Sequence, residues 1–248
     1  MTGYIYLKIY FKGIHANAEL CRQLCLISDK IILKNEYKTG QTVFKNYKLL
    51  KKVHDKKTNF KTAAFKKNDE IIVCFVGTDP KNLKDNITNL KMGFGKVTKQ
   101  MKQAKNFVKK IQFEHPKCKL IATGHSEGGS EALFTGLSFG IPVFSYNAFF
   151  LSDKIKNKAL KNNRNKNFEF LINNYRTPKD LVSKLFYKDI GNTYIVENIK
   201  SRHAHALINM ANCKTSIPIE IYKKEHPDFT DKIFTRLTLH QIWYYLRQ

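Results

Sequence analysis

The sequence predicts an α/β fold, a mostly parallel central sheet with helices on both faces, built as one domain over residues 1–248. Two kinds of segment carry that prediction. "EIIVCFV" (70–76) and "KLIAT" (119–123) are short, unbroken apolar runs, the pattern of strands buried on both faces. Between them, Val97, Met101, Ala104, Val108 and Ile111 fall on one helical stripe with lysines elsewhere, the pattern of an amphipathic helix. Strand and helix in alternation favour a parallel sheet with covered faces.

The remaining elements follow in chain order. In "NAELCRQLCLISDKII" (17–32), Leu20, Leu24 and Ile27 have helical spacing and predict a packing helix. Thr62 to Phe65 reads as extended and precedes the first buried strand. After the second strand, "GGSEALFTGLSFG" starts a helix that ends near Gly140. "PVFSYNA", "FEFLIN" and "NTYIVE" are the third, fourth and fifth strands. The polar stretch 153–167, "DKIKNKALKNNRNKN", reads as a solvated loop or frayed helix and is a possible cap insertion. At the C-terminal end, Ile233, Leu237, Ile242, Trp243 and Leu246 are spaced for a packing helix, or for an interfacial element with Trp243 and Tyr244 at headgroup level.

Charge narrows the function classes. The chain has 44 Lys and Arg against 20 Asp and Glu, a net charge of +24, and a field of that size draws anions. Nearly all of it is lysine, and Arg is confined to positions 22, 164, 176, 202, 236 and 247. Lysine with abundant asparagine is also what codon drift at solvated positions produces. No zinc-finger or RNA-recognition motif accompanies the charge, and Arg, the residue that reads bases and phosphates bidentately, is scarce, so a nucleic-acid partner is not indicated. Cys21, Cys25, Cys74, Cys118 and Cys213 are odd in number and lack metal-site spacing, which points to free thiols. Lys8 and Lys12 interrupt "MTGYIYLKIYFKGI", so no signal-peptide core forms, and no apolar run is long enough to span a membrane. The expectation is a soluble chain without cofactor, cytoplasmic or exported without a cleavable leader.

Gly124-His125-Ser126-Glu127-Gly128 stands between a predicted strand and a predicted helix. In a nucleophile elbow a serine occupies a strained strand-to-helix turn, and small flanking residues let the three segments pack closely enough to hold its hydroxyl clear. The helix start behind it offers backbone N–H groups and positive dipole to a developing oxyanion. Serine is a weak nucleophile at neutral pH, so it needs an imidazole to take its proton and an acid to orient that imidazole. In such folds the order is Ser, then Asp or Glu, then His. Among the acids that follow, Asp180 is a candidate because it lies just past a strand end, with Asp189 as the alternative, and the histidines that follow are His203, His205, His226 and His240. His125 reads as a packing residue. His203 and His205 could be a metal pair, but no third ligand has plausible spacing, so a metal is not expected.

"EIIVCFVGTDPKNLKDNITNLKMGFGKVTKQMKQAKNFVKKI" followed by "CKLIATGHSEGG" resembles the class 3 lipases and their bacterial lipase- and phospholipase-like relatives among the α/β-hydrolases. The resemblance covers roughly residues 60–210 and departs at Val76, where the family usually has Arg, and at Glu127, where it has Leu. It implies an oxyanion hole formed by Thr78 and the N–H of Glu127, Asp180 as the acid, and His205 as the base, since Leu207 follows in the family's His-x-Leu register. The activity implied is a serine acyl hydrolase of lipase or phospholipase A type, cleaving carboxylic esters of lipids through an acyl-enzyme. The basic balance adds an expectation of peripheral contact with anionic membranes, where each nearby Lys contributes about 1 kcal/mol. Phe149, Phe150 and Leu151 are candidates for an acyl pocket. The unusual Glu127 and Val76 motivate the alternative, a catalytically impaired hydrolase fold that binds lipid or a partner.

Overall fold

The computed structural model describes residues 2–77, 96–149, 151–161, 163, 169–178, 180, 190–196, 205–210 and 216–227, with side chains in the first helix from residue 17 onward. Helix α1 is Thr2–Lys34. A four-strand antiparallel meander follows: β1 (Thr42–Phe44), β2 (Tyr47–Asp55), β3 (Phe60–Lys67) and β4 (Glu70–Phe75). From β4 the sheet continues in parallel through β5 (Lys119–His125), β6 (Val143–Tyr146), β7 (Ile172–Arg176) and β8 (Asn192–Ile195). The short β9 (Ile217–Pro218) closes it antiparallel to β8. The sheet is therefore mixed, and its parallel half carries the motifs.

Strand order in the sheet equals order in the chain, β1 to β9. A parallel series that never reverses direction returns its crossovers to one face. Accordingly α2 (Lys99–Glu114), α3 (Glu127–Phe139) and α4 (Asp153–Leu160) all pack on the same side. Val73, Ala122, Val143 and Ile172 stand in register across four strands on that face. The opposite face is covered by α1, whose Ala18, Cys21, Leu24 and Cys25 bury against Ala63, Phe65, Ile72 and Cys74.

Local chemistry explains the helices. Thr98 caps α2 by accepting from the Met101 N–H, and Met101, Ala104, Phe107, Val108 and Ile111 form its buried stripe. Gly140, at φ 66°, ends α3 in the left-handed conformation open to glycine. Ser152 caps α4, which buries Ile155 and Ala159. The 153–167 segment thus begins with a helix docked in the core. The fourth strand starts later than the sequence suggests, at Ile172, because Glu169–Leu171 turn as a 3₁₀ helix first. The C-terminal pattern at 233–246 lies outside the described residues. No helix among the described residues is long and apolar enough to cross a membrane.

Candidate active site

The C-terminal ends of the parallel strands converge on one point. His125, Tyr146, Tyr175 and Tyr194 pair in a row across β5 to β8, with ring centroids 5.7 Å and 5.2 Å apart along the tyrosines. Directly past that row, Ser126 sits at φ 58°, ψ −125°, a conformation that costs a non-glycine residue about 1–3 kcal/mol. Neighbouring main chain holds it there. The Ser126 N–H donates to Tyr146 O (3.0 Å), and its carbonyl accepts from the N–H groups of Gly129 (3.0 Å), Phe149 (3.2 Å) and Ser130 (3.3 Å).

The elbow glycines are required by close approach. A Cβ on Gly124 would lie 2.2 Å from Gly128 O, and one on Gly128 would lie 2.3 Å from Phe75 O. Both obstacles are backbone, which cannot step aside as a flexible side chain can. Gly128→Ala is therefore expected to destabilise the fold by at least the 1–3 kcal/mol typical of overpacking, because β4 and α3 must separate. A urea midpoint within error of the parent protein's would show that the two segments are looser than this geometry.

Ser126 and Asp180 are almost fully buried, and the His205 side chain is 21% exposed. Asp180 lies in the turn after β7, its N–H donating to Thr177 O at 3.1 Å. Its Oδ1 is 3.0 Å from His205 Nδ1, and His205 Nε2 is 2.9 Å from Ser126 Oγ. A carboxylate only accepts, so Nδ1 carries the ring proton and Nε2 is left to receive the serine's. The structure thus brings together Ser126, Asp180 and His205. It places His226 elsewhere, with its Nδ1 3.1 Å from Tyr222 O and its ring stacked on Tyr222 at the end of helix α5 (Ile219–Glu225). Thr78, Phe150, Asp189, His203 and His240 lie outside the described residues. Phe149 is buried with its ring 6.3 Å from that of His205, whereas Leu151 belongs to the core beneath α3.

Two neighbours of the serine have more to do than the sequence suggests. His125, read there as a packing residue, has its Nε2 2.6 Å from the main-chain carbonyl of His205. Asn147, which no pattern singles out, approaches the same carbonyl. Arg22 of α1 donates to Leu207 O at 3.3 Å, so the first helix also grips the loop that carries His205.

Glu127 opens α3, and one turn on Glu131 is buried with Oε2 lacking a hydrogen-bond partner among the described residues. Burial, reinforced by the Glu127 charge, pushes the Glu131 carboxyl well above the usual range, and Lys61 on β3 only partly opposes this. Folding therefore retains a proton that the unfolded chain releases above about pH 4.5, so stability declines as pH rises beyond that point. Glu131→Gln is expected to be more stable than the parent at pH 8, with the gap narrowing toward pH 5, as read by thermal melting. Parallel profiles for the two proteins would mean that the carboxyl is not held protonated.

The chain matches the family model described as a Tle-like phospholipase domain, of a phospholipase-like type, over residues 37–226. Its fold is similar to the lipase of Rhizopus microsporus var. chinensis, with 15% identity and a TM-score of 0.50 over 87% of this chain and 84% of that one. It is also similar to the triacylglycerol lipase of Penicillium expansum, with 14% identity and a TM-score of 0.51 over 84% of each chain. A third similar structure, a triacylglycerol lipase described as having a serine protease triad at its catalytic centre, aligns at 14% identity and TM-score 0.51 over 86% of this chain and 98% of its own. Identities this low establish the α/β-hydrolase type of fold and nothing finer. No curated protein matches the sequence. The family model spans well over half of the 248 residues, and the chain belongs to the Tle-like phospholipase domain family.

Proposed function

We propose that the protein is a serine acyl hydrolase that cleaves carboxylic esters of phospholipids or related lipids. The observation that carries this reading is the unbroken hydrogen-bond chain from Asp180 through His205 to Ser126, at 3.0 Å and 2.9 Å. Family membership supports a lipid substrate, and the triad ascribed to one of the structurally similar lipases supports the assignment of roles.

In the proposed reaction Ser126 Oγ attacks the ester carbonyl carbon while His205 Nε2 takes the hydroxyl proton. Asp180 keeps the Nδ1 proton in place and offsets the imidazolium charge. The carbonyl oxygen becomes an oxyanion, held by the N–H of Glu127 at the positive end of α3 and by Thr78, the second donor that the family resemblance implies; each such donor contributes about 2.7–4 kcal/mol to the transition state. Collapse expels the alcohol oxygen of the lipid, which receives the proton from His205, and leaves an acyl group on Ser126. Water then attacks the acyl carbon, His205 removes its proton, and the fatty acid departs with Ser126 restored.

The test is incubation of the protein with vesicles of mixed neutral and anionic phospholipids. Free fatty acid and lysophospholipid are the expected products. Diacylglycerol with a released phosphorylated headgroup, or binding to vesicles without any product, would each overturn the reading, and the second would favour a lipid-binding protein that has lost catalysis.

A further inference from the structure

We propose that Asn147 and His125 are positioning residues that jointly cradle the main-chain carbonyl of His205, so that the base and the acid are set in register by one buried amide at the end of β6. The proposal rests on the reading of His205 as the base.

Asn147 is fully buried and sits at φ 41°, in the left-handed region where asparagine is enriched among non-glycine residues. Its N–H donates to Tyr175 O at 2.9 Å, which fixes the backbone against β7. From that post its side chain reaches in two directions. Oδ1 accepts the Thr177 N–H at 3.0 Å, and Nδ2 donates to His205 O at 3.4 Å. Thr177 in turn accepts the N–H of Asp180 through its own carbonyl. One amide therefore spans the turn that carries the acid and the loop that carries the base. The residue before it, Tyr146, accepts the N–H of Ser126, so the end of β6 touches the mounting of all three groups.

His125 supplies the second donor. A carbonyl only accepts, so the 2.6 Å contact requires the proton of His125 to be on Nε2. Burial, reinforced by the nearby His205 ring, holds its pKa down at about 3, so the ring is neutral near neutral pH. Both lone pairs of the His205 carbonyl are then engaged, one by each donor. The two rings lie 4.8 Å apart, and a neutral His125 adds no repulsion when His205 becomes an imidazolium. Two donors on the main chain of a catalytic histidine restrain its ring, whose Nε2 must stay within reach of Ser126 Oγ throughout the reaction.

The variants separate donor from fold. Asn147→Asp keeps the size, the tolerance of positive φ and the acceptor for Thr177, but turns an oxygen toward the His205 carbonyl. His125→Ala removes the other donor, and His125→Gln offers a side-chain amide in its place. Misplacement of a reacting group by about 1 Å costs about 100-fold, so Asn147→Asp and His125→Ala are each expected to lower kcat by about 10- to 100-fold with KM nearly unchanged. Labelling of Ser126 by a fluorophosphonate should slow in the same ratio, and His125→Gln should recover most of both. The low-field proton resonance of the His205–Asp180 hydrogen bond should broaden or vanish in Asn147→Asp while the urea midpoint shows the chain still folded. An unchanged kcat and resonance, or an equal loss in His125→Gln and His125→Ala, overturns the proposal. The resonance is read without turnover, so its presence in the parent and loss in Asn147→Asp supports the cradle even if no lipid is cleaved. Absence of labelling in the parent protein would instead count against the hydrolase reading.

Discussion

Ser126→Ala is expected to lower kcat for fatty-acid release by about 10⁶-fold, the loss seen when a triad's nucleophile is removed and its partners have nothing left to activate. The geometry predicts so large an effect because Ser126 Oγ is the hydroxyl that meets His205 Nε2, at 2.9 Å. Ser130, one turn on, already donates to Phe149 O at 2.6 Å and is committed to holding the loop after β6. Binding to vesicles should persist in the variant, since the lysines that attract an anionic surface are untouched. A residual rate about 10³–10⁴ above water is expected, supplied by the oxyanion donors and by substrate positioning. Release that continues within tenfold of the parent rate would remove Ser126 from the chemistry.

The second large effect belongs to Asp180→Asn, which changes one atom and leaves the shape. The new amide can present its NH₂ to Nδ1 of His205, which forces the ring proton onto Nε2. A histidine in that tautomer has no lone pair for the serine proton. A fall of about 10⁴ in kcat follows from the wrong tautomer alone, equivalent to about 5.4 kcal/mol of barrier. Asp180 is almost wholly buried, so water is poorly placed to replace it. The loss should appear with KM little changed, because the residue does not face the substrate. A loss smaller than tenfold would mean that His205 finds its orientation without the acid, and Asp189 would then be the residue to replace.

The parallel half of the sheet was readable because buried strands need unbroken apolar runs, and "EIIVCF" and "KLIAT" supply them. The start of the meander was not: β2 carries Lys48, Lys51 and Lys52, which hide a strand whose Tyr47 and Leu49 are buried. The elbow was readable because Gly124 and Gly128 leave no room for a Cβ, a constraint visible one residue at a time. The contact of Asp180 with His205 was foreshadowed by the place of Asp180 after a strand and by the family turn, and the family register was needed to prefer His205 over His203. The contacts of His125 and Asn147 with a main-chain carbonyl leave no such trace. A donor aimed at a backbone acceptor pairs with no particular side chain, so no motif records it. Thr78, inferred from the family turn, lies outside the described residues.

Strand order that equals chain order also bears on how the molecule is made. As the polypeptide emerges, each new strand adds to the free edge of what has already formed, and no strand must thread between two earlier ones. The meander and β5 can seat the elbow once β6 has arrived to receive the Ser126 N–H. Asp180 follows β7, and His205 comes only after β8. Ser126 is thus installed early in a growing chain, and the residue proposed as its base, His205, arrives only with the last fifth of the sequence. An enzyme that attacks lipids would, by this order of assembly, be inert throughout most of its own synthesis.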